Sequence, residues 1–223
     1  IAMQRDILVS ASLLACNLAD IAGEIARCER AGVDWIHFDV MDGHFVEQIT
    51  YGAPVLKSLR SVTKKTLDVH LMVENPQSQI KFFADAGADL ITIHQESSGD
   101  IVGCLREIRS LGKKSALAIK PQTPAEAIFD YIPLCDMILV MTVEPGYGGQ
   151  GFIYETLPKI KVLRDYANAN GFEKLDIQVD GGINEKTGYS AVNAGANVLV
   201  AGTGLFKAPD MKAVCEALKG NDK

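Results

Sequence analysis

The sequence predicts an α/β protein that folds as a single (β/α)8 barrel, the TIM-barrel architecture. Short β-rich runs alternate with helical patterns along the chain, one connecting phrase recurs between them, and 223 residues suit a one-domain barrel. An open doubly wound sheet is the alternative, and polar residues at many strand ends favour the barrel. We expect one domain over residues 1–223, in which residues 1–5 form an N-terminal extension.

Eight runs are rich in β-forming residues, which is a number that suits closure of a parallel barrel. The predicted strands are residues 7–10, 35–39, 67–71, 90–94, 115–119, 137–141, 177–179 and 198–201. Between them, apolar residues recur at three- and four-residue steps, which gives a helix one buried stripe. Such helical patterns cover residues 18–31, 76–86, 100–111, 157–170 and 185–194. Pro54, Pro76 and Pro124 stand where a first helical turn tolerates a missing N–H.

An Ala-Gly-x-Asp/Asn phrase ends three of these helical patterns and precedes a strand. It occurs at residues 31–34, 86–89 and 194–197. Glycine fits this position because the chain leaves the helix through a left-handed residue. The repetition indicates one helix-to-strand connection that is reused around a ring.

Composition limits the classes of partner. The net charge is −6, from 22 basic and 28 acidic side chains, whereas nucleic-acid binders usually carry a basic excess. No apolar run approaches the roughly 20 residues that span a bilayer. We therefore expect neither a nucleic acid nor a membrane as partner. Five cysteines without CxxC spacing predict reduced, mostly buried thiols and a cytoplasmic location.

Polar side chains close three of the predicted strands. His37 and Asp39 are two residues apart, so they share one face of their strand, and His70 stands at a matching height on another. Because strand ends meet at the carboxyl-end mouth of a barrel, these residues and Asp180 should converge there. Two imidazoles and two carboxylates suit one divalent ion, which leaves zinc, iron, manganese and cobalt open. This ligand set comprises His37, Asp39, His70 and Asp180.

Four neighbouring residues are interpreted more simply. Asp68 precedes His70 by two residues, so it could orient His70 from deeper in the barrel or make a structural hydrogen bond. Asp42 opens a glycine-containing loop and is predicted to form a turn. His44 is predicted to lie in that loop, and His94 to border the mouth.

Glycine-rich segments follow the sixth, seventh and eighth predicted strands. Glycine lets backbone N–H groups approach an anion closely, and barrel phosphate sites use the loops after strands seven and eight. Three adjoining loops of this kind predict a phosphate cradle. The candidate contacts are Gly146, Tyr147, Gly148, Gly149, Gly181, Gly182, Gly202 and Thr203. No GxxxxGK[ST] motif is present, so ATP is not inferred.

Three methionines also stand at predicted strand ends. Methionine usually fills irregular gaps in a core. Here Met41, Met72 and Met141 are predicted to form a flexible apolar collar against the substrate. Such a collar would exclude water and help to raise the pKa of a carboxylic acid.

Taken together and in order, these motifs resemble the ribulose-phosphate 3-epimerase family. The resemblance extends from about Ser10 to Phe206. It rests on residues 37–46 (HFDVMDGHFV), 68–73 (DVHLMV), 140–150 (VMTVEPGYGGQ) and 179–183 (VDGGI).

The resemblance implies a metal-dependent enzyme of the pentose phosphate pathway that inverts C3 of D-ribulose 5-phosphate to give D-xylulose 5-phosphate. Removal of the weakly acidic C3 hydrogen requires stabilisation of an enediolate, which a divalent metal can provide as a Lewis acid. Asp39 and Asp180 would act as acid and base, Ser10 and His70 would contact the substrate, and the glycine loops would hold its phosphate. We expect one divalent ion, no organic cofactor, a small sugar phosphate as partner and a homo-oligomer.

Departures from the family pattern border the expected pocket and leave room for another sugar. Ala11 replaces a usual proline, and Thr203 and Gly204 replace Ser-Ala. The nearest alternative is a D-allulose-6-phosphate 3-epimerase, but those relatives break the paired glycines that this chain retains at 148–149 and 181–182. A second alternative is a metal-free phosphosugar barrel with a catalytic lysine, for which Lys120 is the candidate.

Overall fold

The computed structural model describes residues 5–220, in which eight parallel strands close into a barrel. Each strand pairs with the next along the chain, and the ring closes where Ala11 of the first strand lies opposite Ala201 of the eighth. The strands β1 to β8 are Leu8–Ser12, Trp35–Met41, Thr66–Met72, Leu90–His94, Lys114–Ile119, Met137–Met141, Asp176–Asp180 and Val198–Ala201. The predicted (β/α)8 barrel is therefore confirmed.

Helices cover the outside of the barrel and connect successive strands. The helices α1 to α8 are Ile21–Ala31, Ala53–Arg60, Gln77–Asp85, Ile101–Ser110, Leu157–Ala169, Glu185–Ala194, Thr203–Phe206 and Met211–Leu218. The connection from β5 to β6 is instead a 3-10 helix, Ala125–Leu134, with Pro124 before it and Pro133 inside it. A proline inside a helix removes a hydrogen-bond donor, which disfavours a regular α-helix at this position.

The alternation of side chains along each strand divides the apolar core in two. One set of residues faces outward and packs beneath the helices, as Val9, Ile36 and Val69 do. The other set faces into the barrel, where Leu90, Ala116 and Met137 fill the end at which the strands begin. Polar side chains occupy the inward positions nearer the opposite end. The fold thus reserves the carboxyl-end half of the barrel interior for chemistry.

All eight predicted strands are present, and three of them have the predicted bounds. The pattern over residues 18–31 is divided: a 3-10 turn, Leu18–Asp20, precedes α1, because the Asp20 side chain caps the Gly23 amide at 3.1 Å. The short helices α2, α7 and α8 were not predicted as helical segments, although Pro54 correctly marked the first turn of α2. The three Ala-Gly-x-Asp/Asn connections hold Gly32, Gly87 and Gly195 at positive φ, as expected.

The remaining general predictions have mixed outcomes. The prediction of one domain over residues 1–223 stays a prediction, because residues 1–4 and 221–223 lie outside the described part of the chain. Within the proposed extension, Arg5 donates a hydrogen bond to Asn168 at 3.1 Å.

The five cysteines are free thiols, and all but Cys16 are buried. No helix among residues 5–220 has the length and apolar character needed to cross a membrane.

Candidate active site

The structure brings the four residues of the ligand set together inside the carboxyl-end mouth. Each occupies an inward position on β2, β3 or β7, and each offers one ligand atom within 4.8 Å of the other three. Three of the four side chains are almost fully buried, while the side chain of Asp180 is 17% exposed. The sequence-based prediction that these residues converge is confirmed.

The spacing of the donor atoms fits a single ion. His37 Nε2 lies 3.1 Å from Asp39 Oδ1 and 3.3 Å from Asp180 Oδ2. His70 Nδ1 lies 3.1 Å and 3.6 Å from the same two oxygens. Ligands about 2.0–2.1 Å from one tetrahedral ion stand about 3.3 Å apart, so these four distances suit a shared ion.

Asp68 contacts His37 from deeper inside the barrel. Its Oδ2 lies 2.7 Å from His37 Nδ1 and also accepts hydrogen bonds from Ser10 and Gln178 at 2.9 and 2.6 Å. This arrangement places a proton on His37 Nδ1 and leaves the Nε2 lone pair directed at the site. Asp68 therefore orients His37 rather than His70, the residue for which sequence proximity had suggested this role.

His70 has a different partner. Its Nε2 lies 2.8 Å from Nε2 of His94, and both rings are fully buried. Burial lowers the pKa of His94 to about 4, against the opposing influence of Glu96, so this ring is neutral near pH 7. The expectation that His94 merely borders the mouth is incomplete, because His94 contacts a member of the ligand set directly.

Asp39 is fixed from the β1 side. Its Oδ2, which points away from the histidines, accepts a hydrogen bond from Ser12 Oγ at 2.8 Å. Ser10, the expected substrate contact, is fully buried and donates to Asp68 at 2.9 Å. Contact of Ser10 with the substrate stays a prediction, and Ser12, two residues nearer the mouth, lies where such a contact is also geometrically possible. The same two-residue step that relates His37 to Asp39 could have identified Ser12 from the sequence.

The pKa directions show that the carboxylates of Asp39 and Asp180 favour positive charge on their histidine partners. Burial opposes protonation of His37, but the charges of Asp39 and Asp68 outweigh it and raise the pKa of His37 well above its usual range. Burial also opposes protonation of His70, whose pKa is raised by hydrogen bonds with Asp180 and Asp39. Burial favours the neutral acids, yet the two histidines lower the pKa of Asp39 and of Asp180. A divalent cation would supply the positive charge that these carboxylates otherwise draw from protonated histidines.

The predicted glycine loops adjoin one another at the mouth. A Cβ atom placed on Gly182 would lie 2.5 Å from the backbone nitrogen of Phe152, which belongs to the loop after β6. A Cβ placed on Gly204 would lie 3.2 Å from the carbonyl oxygen of Ile183 in the loop after β7. These close approaches join the loops after β6, β7 and β8 into one continuous rim, as the phosphate-cradle hypothesis requires.

Backbone N–H groups of this rim are available to donate hydrogen bonds to a ligand. Within residues 5–220, the amides of Gly148, Gly149 and Gly182 donate no hydrogen bond to another residue. Gly182 has φ +67° and its carbonyl accepts a hydrogen bond from Thr187 Oγ1 at 2.7 Å, which fixes the peptide. Side chains brace the loop after β6, where Gln150 Nε2 donates to the carbonyl of Tyr147 at 2.9 Å.

The remaining candidate rim residues lie on the same loops. Gly146 and Gly181 also adopt positive φ, and Tyr147 is 63% exposed. Gly202 precedes the short helix α7, and Thr203 is its first residue. Contact of any of these residues with a phosphate stays a prediction.

The methionines form two apolar groups rather than one continuous collar. Met41 and Met72 pack with Val46 on one side of the mouth. Met141 packs with other residues on the opposite side, including Leu139. Both groups are buried, so they keep water away from the strand ends that carry the ligand set.

The loop between β2 and α2 is organised by Asp42, as predicted. Its Oδ1 accepts hydrogen bonds from the amides of His44 and Phe45, both at 2.9 Å, and its Oδ2 accepts from the amide of Glu74 at 2.8 Å. Although burial opposes it, these donors lower the pKa of Asp42. The nitrogen of Lys120 lies over the Phe45 ring, 4.3 Å from its centroid, in a cation–π contact. This contact gives Lys120 a structural explanation that competes with the catalytic role considered for it.

Comparison with solved structures supports the class of protein that the fold defines, a (β/α)8 barrel. The chain superposes on 3-keto-L-gulonate-6-phosphate decarboxylase from Vibrio cholerae with a TM-score of 0.73 at 16% identity, over 97% of each chain. It superposes on 3-hexulose-6-phosphate synthase from Salmonella typhimurium with a TM-score of 0.68 at 18% identity, over 96% of this chain and 97% of that one.

Sequence relatives define the family. The model of the Ribulose-phosphate 3 epimerase family matches residues 8–206. A ribulose-phosphate 3-epimerase of Synechocystis sp. is 43% identical over 98% of this chain and 94% of the relative. The Bacillus subtilis ribulose-phosphate 3-epimerase is 41% identical over 96% of this chain and 99% of the relative. The chain belongs to the ribulose-phosphate 3-epimerase family and is an epimerase.

Asp68 provides a test of how the ligand set is supported. Asp68→Asn keeps the shape but removes the charge that fixes the His37 tautomer, so affinity for a divalent ion should fall by about 10–100-fold. Affinity is measured by competition with a calibrated chelator. Ser10→Ala is the matched control, because it removes another donor to the same oxygen and leaves the His37 contact intact. Equal metal affinity of Asp68→Asn and the wild type would contradict this assignment.

Proposed function

We propose that the chain is a metal-dependent ribulose-phosphate 3-epimerase that interconverts D-ribulose 5-phosphate and D-xylulose 5-phosphate. The observation that carries this proposal is a pair of carboxylates, the buried Asp39 and the partly exposed Asp180, which share two histidine partners at the barrel mouth. The names of the relatives indicate which sugar is the substrate, and the histidine and aspartate donors indicate the type of reaction. We expect the substrate to be a small sugar phosphate rather than a nucleic acid, and no organic cofactor to take part.

The ligand set would hold one divalent ion, with His37 Nε2, His70 Nδ1 and one oxygen from each aspartate as donors. When bound, such an ion supplies Lewis-acid stabilisation of the negative charge that develops when C3 loses its proton. Its mixed nitrogen and oxygen donors are compatible with zinc, iron, manganese or cobalt. The other ring nitrogen of each histidine is held by a neighbour, Asp68 for His37 and His94 for His70. These contacts support the role, because the imidazole of a metal-binding histidine is usually oriented through its second nitrogen.

Asp39 and Asp180 would exchange protons with C3 on opposite faces of the substrate. Inversion requires removal of the C3 proton from one face of the sugar and delivery of a proton to the other, so two carboxyl groups suffice. One aspartate begins as the base and the other as the acid, and the reverse reaction exchanges their roles. Their environments differ, since Ser12 holds the deeper Asp39 while Asp180 is partly open to the mouth.

The rim of glycine loops would bind the phosphate through backbone N–H groups. Amides at Gly148, Gly149 and Gly182 are available, and Gly202 and Thr203 extend the rim to β8. Positive φ and close packing at Gly182 explain why a side chain is excluded there. The methionines at the strand ends would line the apolar part of the pocket.

A D-allulose-6-phosphate 3-epimerase is the alternative, since it would use the same chemistry on a longer sugar. The intact glycine pairs at 148–149 and 181–182 favour the pentose. A role in the pentose phosphate pathway, a cytoplasmic location and a homo-oligomeric state stay predictions that accompany this proposal.

The substrate is tested directly with purified protein. We expect rapid conversion of D-ribulose 5-phosphate, much slower conversion of D-allulose 6-phosphate, and loss of activity after chelation that returns when a divalent ion is added. Coupled assays or NMR of the sugar products provide the measurement. Preference for D-allulose 6-phosphate would support the alternative function instead. Full activity of verified metal-free protein would show that the reaction does not need a metal ion.

The proton transfers are tested by substitution and by isotope. Asp39→Asn or Asp180→Asn should reduce kcat by at least the roughly 10²–10⁴-fold ascribed to general acid–base catalysis, with metal content checked in each variant. In deuterated water, the wild type should place solvent deuterium at C3 of the product during a single turnover. Complete retention of the substrate's own hydrogen would indicate a single shielded base and contradict the two-aspartate assignment.

Gly148 offers a test of the phosphate rim. A methyl group added there meets no atom within 4 Å and the residue lacks positive φ, so Gly148→Ala should fold normally. If the Gly148 amide faces the phosphate, the methyl group should raise KM several-fold and change kcat less. Gly151→Ala is the control, because it adds a methyl group to the same loop in equally open space. Equal KM values for the two variants would place the phosphate elsewhere.

A further inference from the structure

The second ring nitrogen of His70 makes an unusual contact for a metal-ligating histidine. It faces another imidazole nitrogen, His94 Nε2, at 2.8 Å, within a pair of stacked rings whose centroids are 5.0 Å apart. A hydrogen bond between two imidazole nitrogens needs a hydrogen on one of them and a lone pair on the other. The contact therefore determines which tautomer each ring adopts.

The surroundings select one direction for this hydrogen bond. His70 Nδ1 faces the two catalytic aspartates, and a metal ligand needs its lone pair there, so the hydrogen belongs on Nε2 and His94 accepts it. The hydrogen of His94 then lies on Nδ1. That atom lies 3.5 Å from Glu96 Oε2, and both atoms are buried without a hydrogen-bond partner among residues 5–220, so each is the other's nearest polar complement.

Glu96 is itself held in place. Its other oxygen, Oε1, accepts hydrogen bonds from the backbone N–H of Lys120 and, at 3.1 Å, from Thr123 Oγ1. The loop after β5 thus fixes the carboxylate that faces His94. The sequence runs from His94 to Glu96 across the end of β4, so one strand end supplies both residues.

The pair is shielded from water. The centroid of the Phe45 ring lies 4.9 Å from that of the His94 ring, and the Lys120 ammonium group lies over Phe45 in turn. A covered hydrogen bond has no water to compete with it, so its direction is well defined.

We propose that His94 and Glu96 are positioning residues, which together hold His70 in the tautomer that presents Nδ1 to the metal. This inference rests on the proposed metal-dependent function. It also separates the two histidine ligands: His37 is paired with a carboxylate, whereas His70 is paired with an imidazole, which adds no further negative charge next to the site. Because Asp39, Asp180 and Asp68 already place three carboxyl groups around the centre, an imidazole partner limits the excess of negative charge.

The tautomers can be measured in the wild-type protein. Histidine-labelled protein, loaded with zinc, is examined by two-bond ¹H–¹⁵N correlation NMR, which distinguishes protonated from bare ring nitrogens. We expect His70 to carry hydrogen on Nε2 and His94 to carry it on Nδ1. Hydrogen on Nε2 of His94 would overturn the proposal. The same His94 pattern is expected in metal-free protein, so this readout is independent of whether the metal-dependent activity is confirmed.

Substitutions test the consequence for metal binding. His94→Leu removes the acceptor and should accelerate loss of zinc to a chromogenic chelator by about 10–100-fold, the range found for lost outer partners of metal ligands. His94→Gln retains an acceptor oxygen, so it should restore most of the zinc retention that His94→Leu loses. Thr92→Val is the matched control: it alters a buried inward residue of the same strand whose hydroxyl has no hydrogen-bond partner in the described part of the chain, and it should release zinc at the wild-type rate.

Two outcomes contradict the proposal. One is wild-type zinc release from folded His94→Leu, and the other is equal release from His94→Gln and His94→Leu. If His94→Leu does not fold, the NMR tautomers and the His94→Gln variant decide the question. A wild-type protein that binds no divalent ion, yet shows the expected His94 tautomer, would refute the proposed metal-dependent function while leaving the hydrogen-bond assignment intact.

Discussion

The carboxylates of Asp39 and Asp180 share two histidine partners inside the barrel mouth, where all four ligand atoms lie within 4.8 Å of one another, and this concentration of negative charge governs the rest of the site. A buried charge is costly unless it is paired, and two like charges at this distance also repel. Positive charge must therefore lie between them, supplied by protonated histidines or by a divalent ion. The same requirement links structure to function, because an ion that balances the carboxylates can also stabilise charge on a bound sugar.

The supporting residues are arranged around that requirement. Asp68 collects three donors on one oxygen and orients His37, while His94 contacts His70 on the opposite side of the ligand set. These contacts depend on barrel closure, because Gln178 of β7 reaches Asp68 of β3 across the interior. A single ring of eight strands brings residues that are far apart in sequence to one level, and no pair of neighbouring strands could do so alone.

Much of this arrangement is predictable from sequence, because a two-residue period identifies the inward face of a strand. His37 and Asp39 were identified in this way, and β4, β6 and β8 have the predicted bounds. The same reasoning overlooked Ser12, since predicted β1 ended at Ser10, whereas the strand continues for two more residues. The contact between His94 and His70 could not be predicted by periodicity, because it depends on the angle between two strands and on ring orientation.

The short helices α2 and α8 have only eight residues each, too few turns for their apolar pattern to stand out. The glycine loops were recognised as a group, but the packing of Gly182 against the Phe152 backbone is a tertiary contact without a sequence signal.

Binding of one divalent ion between the carboxylates of Asp39 and Asp180 is tested most directly by anomalous X-ray scattering. Crystals of protein purified without chelator are measured above and below the absorption edges of zinc, iron, manganese and cobalt. The account predicts one anomalous peak per chain, at about 2.0–2.3 Å from His37 Nε2, His70 Nδ1 and an oxygen of each of Asp39 and Asp180. It would be contradicted by fully active protein whose crystals show no such peak and in which the four side chains are joined directly by hydrogen bonds.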